Sequence, residues 1–149
     1  MKNNINIIVT IPKDTRHLPI IGRVCEKVAQ EINCAEELHK TLSNNLAIVL
    51  TEGLVNAIKY GSNGQLDNEI HFCINVTGNK MVIRIYDKGI GFDLNSIRPP
   101  NFTKSRLEDK GRGIYILRSL MDEVKYHKEN DWNVLEMTKN LAKSDSIYL

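Results

Sequence analysis

Two segments of alternating apolar and polar residues, separated by a single turn, constrain the fold more than any other feature of this sequence. They span residues 68–77 and 80–87, with Gly78-Asn79 between them. Alternation with period two predicts strands that each bury one face, and Gly-Asn chemistry predicts a tight hairpin turn. The two segments are therefore predicted to form an antiparallel pair.

Apolar periodicity assigns the other elements of the chain. The prediction is a strand over 5–11, a helix from about 15 to 32, a helix over 35–60, the hairpin over 68–87, a helix opening at Gly111-Arg112-Gly113, and strands over 123–128 and 132–141. This order predicts an α+β fold, with helices layered on one face of a mainly antiparallel, mixed sheet.

Length and composition limit the class of protein. With 149 residues, 42% of them hydrophobic, the chain is predicted to form one domain over residues 1–149. A net charge of +2 gives no basic field for direct nucleic-acid binding. The polar start and the lack of a long apolar run predict a cytoplasmic protein that does not enter a membrane. Three cysteines without zinc-site spacing are predicted to be buried free thiols.

Two segments lack periodicity. Residues 93–110 contain Pro99-Pro100, four basic residues and little apolar content, and we predict a mobile loop that we call the lid. Residues 142–149 are predicted to be a frayed tail.

Glu52 and Asn56 are four positions apart on the long predicted helix, so they share one face. One interpretation is an exposed polar stripe. The other is functional: the Asn56 amide oxygen suits Mg²⁺, which accepts few protein ligands when phosphates supply the remainder. Glu52 would then orient or deprotonate a nucleophile.

The second strand of the hairpin runs into Asp87, Gly89 and Gly91. A carboxylate acceptor is thus placed beside a backbone that can adopt positive φ and approach a ligand closely. The pattern is also compatible with an ordinary turn.

Gly111-Arg112-Gly113 is predicted to precede a helix, where free N–H groups and the helix dipole favour an anion. Lys110 and Arg112 add positive charge there. The segment lacks the spacing of a dinucleotide fingerprint and of a Walker motif, which argues against both kinds of site.

Together these three elements resemble the N, G1 and G2 boxes of the Bergerat (GHKL) ATPases, in the same order. The chain most resembles the bacterial anti-sigma factor serine-protein kinases of that superfamily, over nearly its whole length. Residues 111–124, which end in Leu120-Met-Asp-Glu-Val124, are typical of that branch.

The resemblance implies a Bergerat fold, a two-layer α/β sandwich that binds ATP and Mg²⁺. It implies that Asp87 accepts the adenine amino group, that Gly89 and Gly91 shape the base pocket, that Asn56 binds the metal and that Glu52 is the general base. Gly111 and Gly113 would form the lid hinge and phosphate cradle. Lys104, Arg106, Lys110 and Arg112 are candidates for neutralising the γ-phosphate, and the choice among them stays open. Lys59 and Tyr60 either line the nucleotide pocket or cap the helix.

The resemblance also implies partners. The expected substrate is a serine of an anti-anti-sigma factor, the expected binding partner is a sigma factor, and the expected state is a homodimer formed through Ile8, Leu18 and the first helix. Burial in the monomer core would equally explain those apolar residues. Two alternatives remain: an ATP-sensing binding module with little or no kinase activity, and a stand-alone histidine-kinase-type domain, for which His39 is the candidate phosphoacceptor.

Overall fold

The computed structural model describes residues 2–60, 69–91, 93–94 and 109–142, with the backbone alone for residues 60 and 109–111. Its strands are β1 (Asn4–Pro12), β2 (Glu69–Thr77), β3 (Lys80–Asp87), β4 (Glu123–Glu129) and β5 (Trp132–Asn140). Its helices are a 3₁₀ turn (Thr15–His17), α1 (Leu18–Glu31), α2 (Glu36–Tyr60) and α3 (Asp109–Leu120). The predicted order of elements is confirmed. Most of the lid, residues 95–108, and the tail beyond Ala142 lie outside the described residues.

The five strands form one sheet in the order β1-β2-β3-β5-β4. Every pair of neighbours is antiparallel. The expectation of a mixed sheet is therefore wrong for the described strands. Two-residue turns close both hairpins, with φ of 59° at Gly78 and 58° at Asn130, and such turns can only join antiparallel strands.

The helices cover one face of this sheet, as predicted. Alternate residues of the central strands point to that face and are buried, and in register they form rows such as Ile74, Ile83 and Met137. The apolar side of α2 closes the core over them through Leu46, Leu50 and Leu54. Burial of these two apolar surfaces against each other is the main stabilising contribution to the fold.

The opposite face of the sheet exposes apolar side chains at its β1 edge. Ile8 on β1 is 70% exposed there, and Cys73 lies beside it on β2. All three thiols are free, but only Cys25 is buried, whereas Cys34 and Cys73 are partly exposed. The expectation of buried thiols thus holds for Cys25 alone, because Cys73 alternates outward between the core residues Phe72 and Ile74. No helix within the described ranges is both long and apolar enough to cross a bilayer.

The third helix begins earlier than the sequence predicts. It starts at Asp109, so Gly111, Arg112 and Gly113 lie within its first turns and do not precede it. Glycine lowers helix propensity by about 1 kcal/mol, and two glycines so close together made the sequence look like a loop end. The helix packs against α2, and Gly113 lies close to Glu52 there.

Candidate functional site

Asp87 ends β3 as a buried carboxylate that is 6% exposed. Its Oδ1 accepts hydrogen bonds from the Gly89 backbone N–H at 2.7 Å and from Asn133 Nδ2 at 3.2 Å. Both bonds that Asp87 accepts from described residues end on Oδ1. The second carboxylate oxygen therefore remains an acceptor for a ligand.

Glu52 and Asn56 lie together on the side of α2 that faces α3. A β carbon placed on Gly113 would be 3.1 Å from Glu52 Oε2 and 3.8 Å from Asn56 Oδ1. The prediction that the two side chains share a face is confirmed. Asn56 is buried, and its Nδ2 has no hydrogen-bond partner in the described part of the chain.

A cleft between α2 and the sheet joins the two predicted motifs. Its walls are one polar side chain from each motif, two small residues of α2 and three side chains of the sheet. These residues are Asn56 and Asp87, Gly53 and Ala57, and Ile85, Tyr126 and Leu135. Its free volume is about 10 Å³, which is room for about one water molecule. Gly53 allows α2 to lie this close to β3, because a β carbon at that position would overlap Ile85 Cδ1.

A second and wider cleft adjoins the first beyond Tyr126. It has a volume of about 390 Å³ and is lined by Ile90, Gly91, Asp93, Tyr126, His127, Lys128 and Asn133. Among the described residues, Tyr126 alone lines both clefts. Its side chain therefore lies between the two clefts.

The glycines after Asp87 serve different purposes in this structure. The Gly89 N–H donates a hydrogen bond to the Asp87 carboxylate. Gly91 has φ of +81°, and a β carbon there would be 2.9 Å from Asn133 Oδ1. The predicted need for positive φ is confirmed at Gly91.

Basic residues of the predicted site lie at its edge. Lys59 and Arg112 are exposed, and neither lines the narrow cleft. The side chains of Tyr60 and Lys110, and the residues Lys104 and Arg106, lie outside the described part of the chain. Their expected roles stay predictions.

Sequence reasoning missed three residues of this site, Gly53, Tyr126 and Asn133. Nothing local marks them. The signal that could have found Asn133 is strand register, since pairing β3 with β5 places Asn133 opposite Asp87.

The donor set fits a magnesium ion held mainly by phosphates and water. Within the described ranges, no group of three or more His, Cys, Asp or Glu side chains could hold a metal by itself. Asn56 supplies an amide oxygen, and a hard cation with one or two protein ligands takes the remainder from a nucleotide and water. The unpartnered atom of Asn56 is the donor Nδ2, which cannot bind a cation but could donate to an acceptor of the same ligand, such as a phosphate oxygen.

Comparison with known protein families decides the family. The model of the histidine kinase-like ATPase domain matches residues 11–139. The chain belongs to this family. The match extends from the end of β1 to the last strand, so it includes every described element of the site.

Within this family, the chain is similar to bacterial anti-sigma factors and serine-protein kinases. An anti-sigma F factor of Halalkalibacterium halodurans is 33% identical, over 66% of this chain and 70% of that protein. A serine-protein kinase RsbW of Bacillus subtilis is 26% identical, over 95% of this chain and 89% of that protein.

Solved structures confirm the fold. The RsbU and RsbW domains of Rv1364c from Mycobacterium tuberculosis match with a TM-score of 0.65 at 11% identity, over 97% of this chain and 35% of that one. The histidine kinase AdeS of Acinetobacter baumannii matches with a TM-score of 0.52 at 11% identity, over 92% of this chain and 68% of that one. The resemblance to the Bergerat fold inferred from sequence is thereby confirmed.

Proposed function

We propose that this chain is an ATP-dependent serine-protein kinase and anti-sigma factor that phosphorylates a protein antagonist in a partner-switching pathway. The observation that carries the proposal is the narrow cleft itself, because it brings Asn56 and Asp87 together. Glu52 lies one helical turn from Asn56 and faces the same side. The names of the relatives, anti-sigma F factor and serine-protein kinase, support the same activity.

The residues divide the reaction between them. Asp87 accepts a hydrogen bond from the amino group of adenine through Oδ2, because Gly89 and Asn133 both donate to Oδ1. Asn56 offers an amide oxygen to Mg²⁺, which when bound neutralises charge on the phosphates. Glu52 receives the proton of the seryl hydroxyl. The seryl oxygen bonds to the γ-phosphorus of ATP, and the bond from that phosphorus to the oxygen shared with the β-phosphate breaks, so that ADP leaves.

Adenine is much larger than the water-sized free volume of about 10 Å³ in the narrow cleft, so we propose that a lining side chain moves as the adenine enters. Tyr126 is the residue whose rotation would join the narrow cleft to the wider one. We therefore place base entry on the β4 side of the site.

Partners are proposed from exposed apolar residues at the N-terminal end of the chain. Ile8 on the sheet face opposite the helices is 70% exposed, and Ile20 on α1 is 58% exposed. Exposed apolar side chains of this size support contact with a second copy of the chain, a sigma factor or the antagonist. The near-balanced charge gives no support to direct DNA binding, and a protein that binds a sigma factor would act in the cytoplasm.

The deciding experiment uses labelled Mg·ATP and candidate antagonist proteins encoded in the same genome. We expect phosphoserine on one antagonist. Measurable ATP binding without any phosphoserine product would instead identify an ATP-sensing module, and label on His39 would identify a histidine-kinase-type domain.

Two variants separate chemistry from binding. Glu52→Ala should abolish transfer and leave ATP affinity intact, while Asp87→Asn should lose ATP binding. Glu36→Ala is the matched control, because Glu36 is exposed at the other end of α2. Normal ATP binding by Asp87→Asn would show that the base site is assigned wrongly.

A further inference from the structure

Asn133 is the most buried polar residue beside the nucleotide cleft, and the reaction described above does not use it directly. It lies on β5 opposite Asp87 and is 1% exposed. A buried amide destabilises a fold unless its hydrogen bonds are made. The position of this amide therefore needs an explanation.

The nitrogen end of the amide is fully engaged. Nδ2 donates to Asp87 Oδ1 at 3.2 Å and to the Gly89 carbonyl oxygen at 2.8 Å. Both partners are acceptors that cannot donate, so only this orientation of the amide satisfies them. Asn133 thus joins the end of β3 to the turn that follows it.

The oxygen end is different. Asn133 Oδ1 is buried, and no described residue donates a hydrogen bond to it. The space beside it is that of Gly91, where a β carbon would lie 2.9 Å from Oδ1 and 3.0 Å from the Tyr126 hydroxyl. The amide is therefore held by its donor end, toward Asp87.

We propose that Asn133 is the positioning residue that gives the nucleotide site its preference for a purine with a 6-amino group. The inference rests on the proposed ATP-binding function and adds a residue to it. Asn133 acts through Asp87, which lines the narrow cleft: by occupying Oδ1 it fixes the plane of the carboxylate and leaves Oδ2 as the acceptor for the ligand.

The physical reason is the difference between one donor and two on Oδ1. Without Asn133, only the Gly89 N–H would hold that oxygen, and the Gly89 carbonyl would lose its donor. The carboxylate could then rotate, and a buried acceptor without a fixed direction discriminates poorly between a base that donates there and one that does not.

The test compares two nucleotides by equilibrium titration of the full chain. One is ATP, and the other is the triphosphate of unsubstituted purine riboside, which lacks the 6-amino group. For the unmodified chain we expect ATP to bind about 10-fold more tightly, as loss of one hydrogen bond to a buried charged acceptor predicts. In Asn133→Leu, which keeps much of the volume, and in Asn133→Ala, this ratio should fall towards one.

A purely structural role gives a different result. Val134→Ala is the control, since Val134 is fully buried on the same strand but points to the other face of the sheet. It should weaken the binding of both nucleotides equally or of neither. Thermal melting should show that Asn133→Leu, Asn133→Ala and Val134→Ala all fold. Asn133→Asp, which places a second carboxylate beside Asp87, should lose ATP more than Asn133→Leu does.

The outcomes separate the two proposals. If the unmodified chain binds neither nucleotide, the proposed function is wrong and this inference falls with it. If the unmodified chain prefers ATP and folded Asn133 variants keep the same ratio, the inference is overturned and the proposed function stands.

Discussion

Gly113 of α3 lies directly against Glu52 of α2, so that a β carbon on the glycine would be 3.1 Å from Glu52 Oε2. The glycine is buried within its helix. Its lack of a side chain therefore lets the second helix approach the carboxylate proposed as general base. This contact links the position of α3 to the chemistry of α2.

Gly113→Ala should slow phosphoryl transfer by about 10-fold, because shifting a catalytic group by a fraction of an ångström is costly. Its thermal stability should change little, since better helix propensity of about 1 kcal/mol offsets the crowding. Steady-state kinetics together with ATP titration measures this. An unaltered kcat would mean that Glu52 tolerates the displacement or is not the base.

Gly53→Ala should destabilise the fold by about 1–2 kcal/mol, because overpacking against the buried Ile85 side chain outweighs the gain in helix propensity. Gly22→Ala is the matched control in α1. Nothing lies within 4 Å of its added carbon, so we expect stabilisation of about 0.5–1 kcal/mol. Urea unfolding measures both.

Ile85→Val removes the Cδ1 atom that meets the new methyl group, so the double variant Gly53→Ala with Ile85→Val should recover part of the lost stability. Additive losses in this cycle would show that the two side chains do not compete for the same space.

Stability should depend on pH through Cys25. Burial raises the pKa of its thiol to about 12, from an ordinary value near 9. Above about pH 9 the unfolded chain releases this proton and the native chain keeps it, so the contribution is complete below pH 9 and is lost as pH rises towards 12. The loss approaches about 1.4 kcal/mol per pH unit.

Urea unfolding at pH 8 and pH 10 checks this dependence. Cys25→Val removes the thiol with little change in volume, and it should lose less stability between the two pH values than the unmodified chain. Equal losses would assign the alkaline sensitivity to other groups.

The single tryptophan should report nucleotide binding. Trp132 is the neighbour of Asn133 in the chain, and Lys88 is the neighbour of Asp87. The Lys88 Nζ atom lies 4.6 Å from the centre of the Trp132 ring. A shift of the Asp87 turn on binding would change this contact and hence the indole emission. We expect ATP to alter Trp132 fluorescence in the unmodified chain and not in Asp87→Asn. A response that survives in Asp87→Asn would place the fluorescence change elsewhere.

Much of the fold could be predicted because its elements have strong local signals. The bounds of β3 are predictable, since it is rich in β-branched residues and lies between a turn and the Asp87-Lys88-Gly89 segment. The start of α3 could not be predicted. Two glycines weaken its helical signal, and the contact between Gly113 and α2 is invisible along the chain.

The candidate site divides in the same way. The sequence by itself determined that Glu52 and Asn56 share a helical face and that Asp87 ends a strand, because both depend on the fixed periods of helix and strand. Only the tertiary structure decided that Asn133 lies beside Asp87, that Gly53 meets Ile85 and that Tyr126 separates two clefts. Those contacts depend on strand register and helix packing, which join residues far apart in the chain and leave no trace in local periodicity.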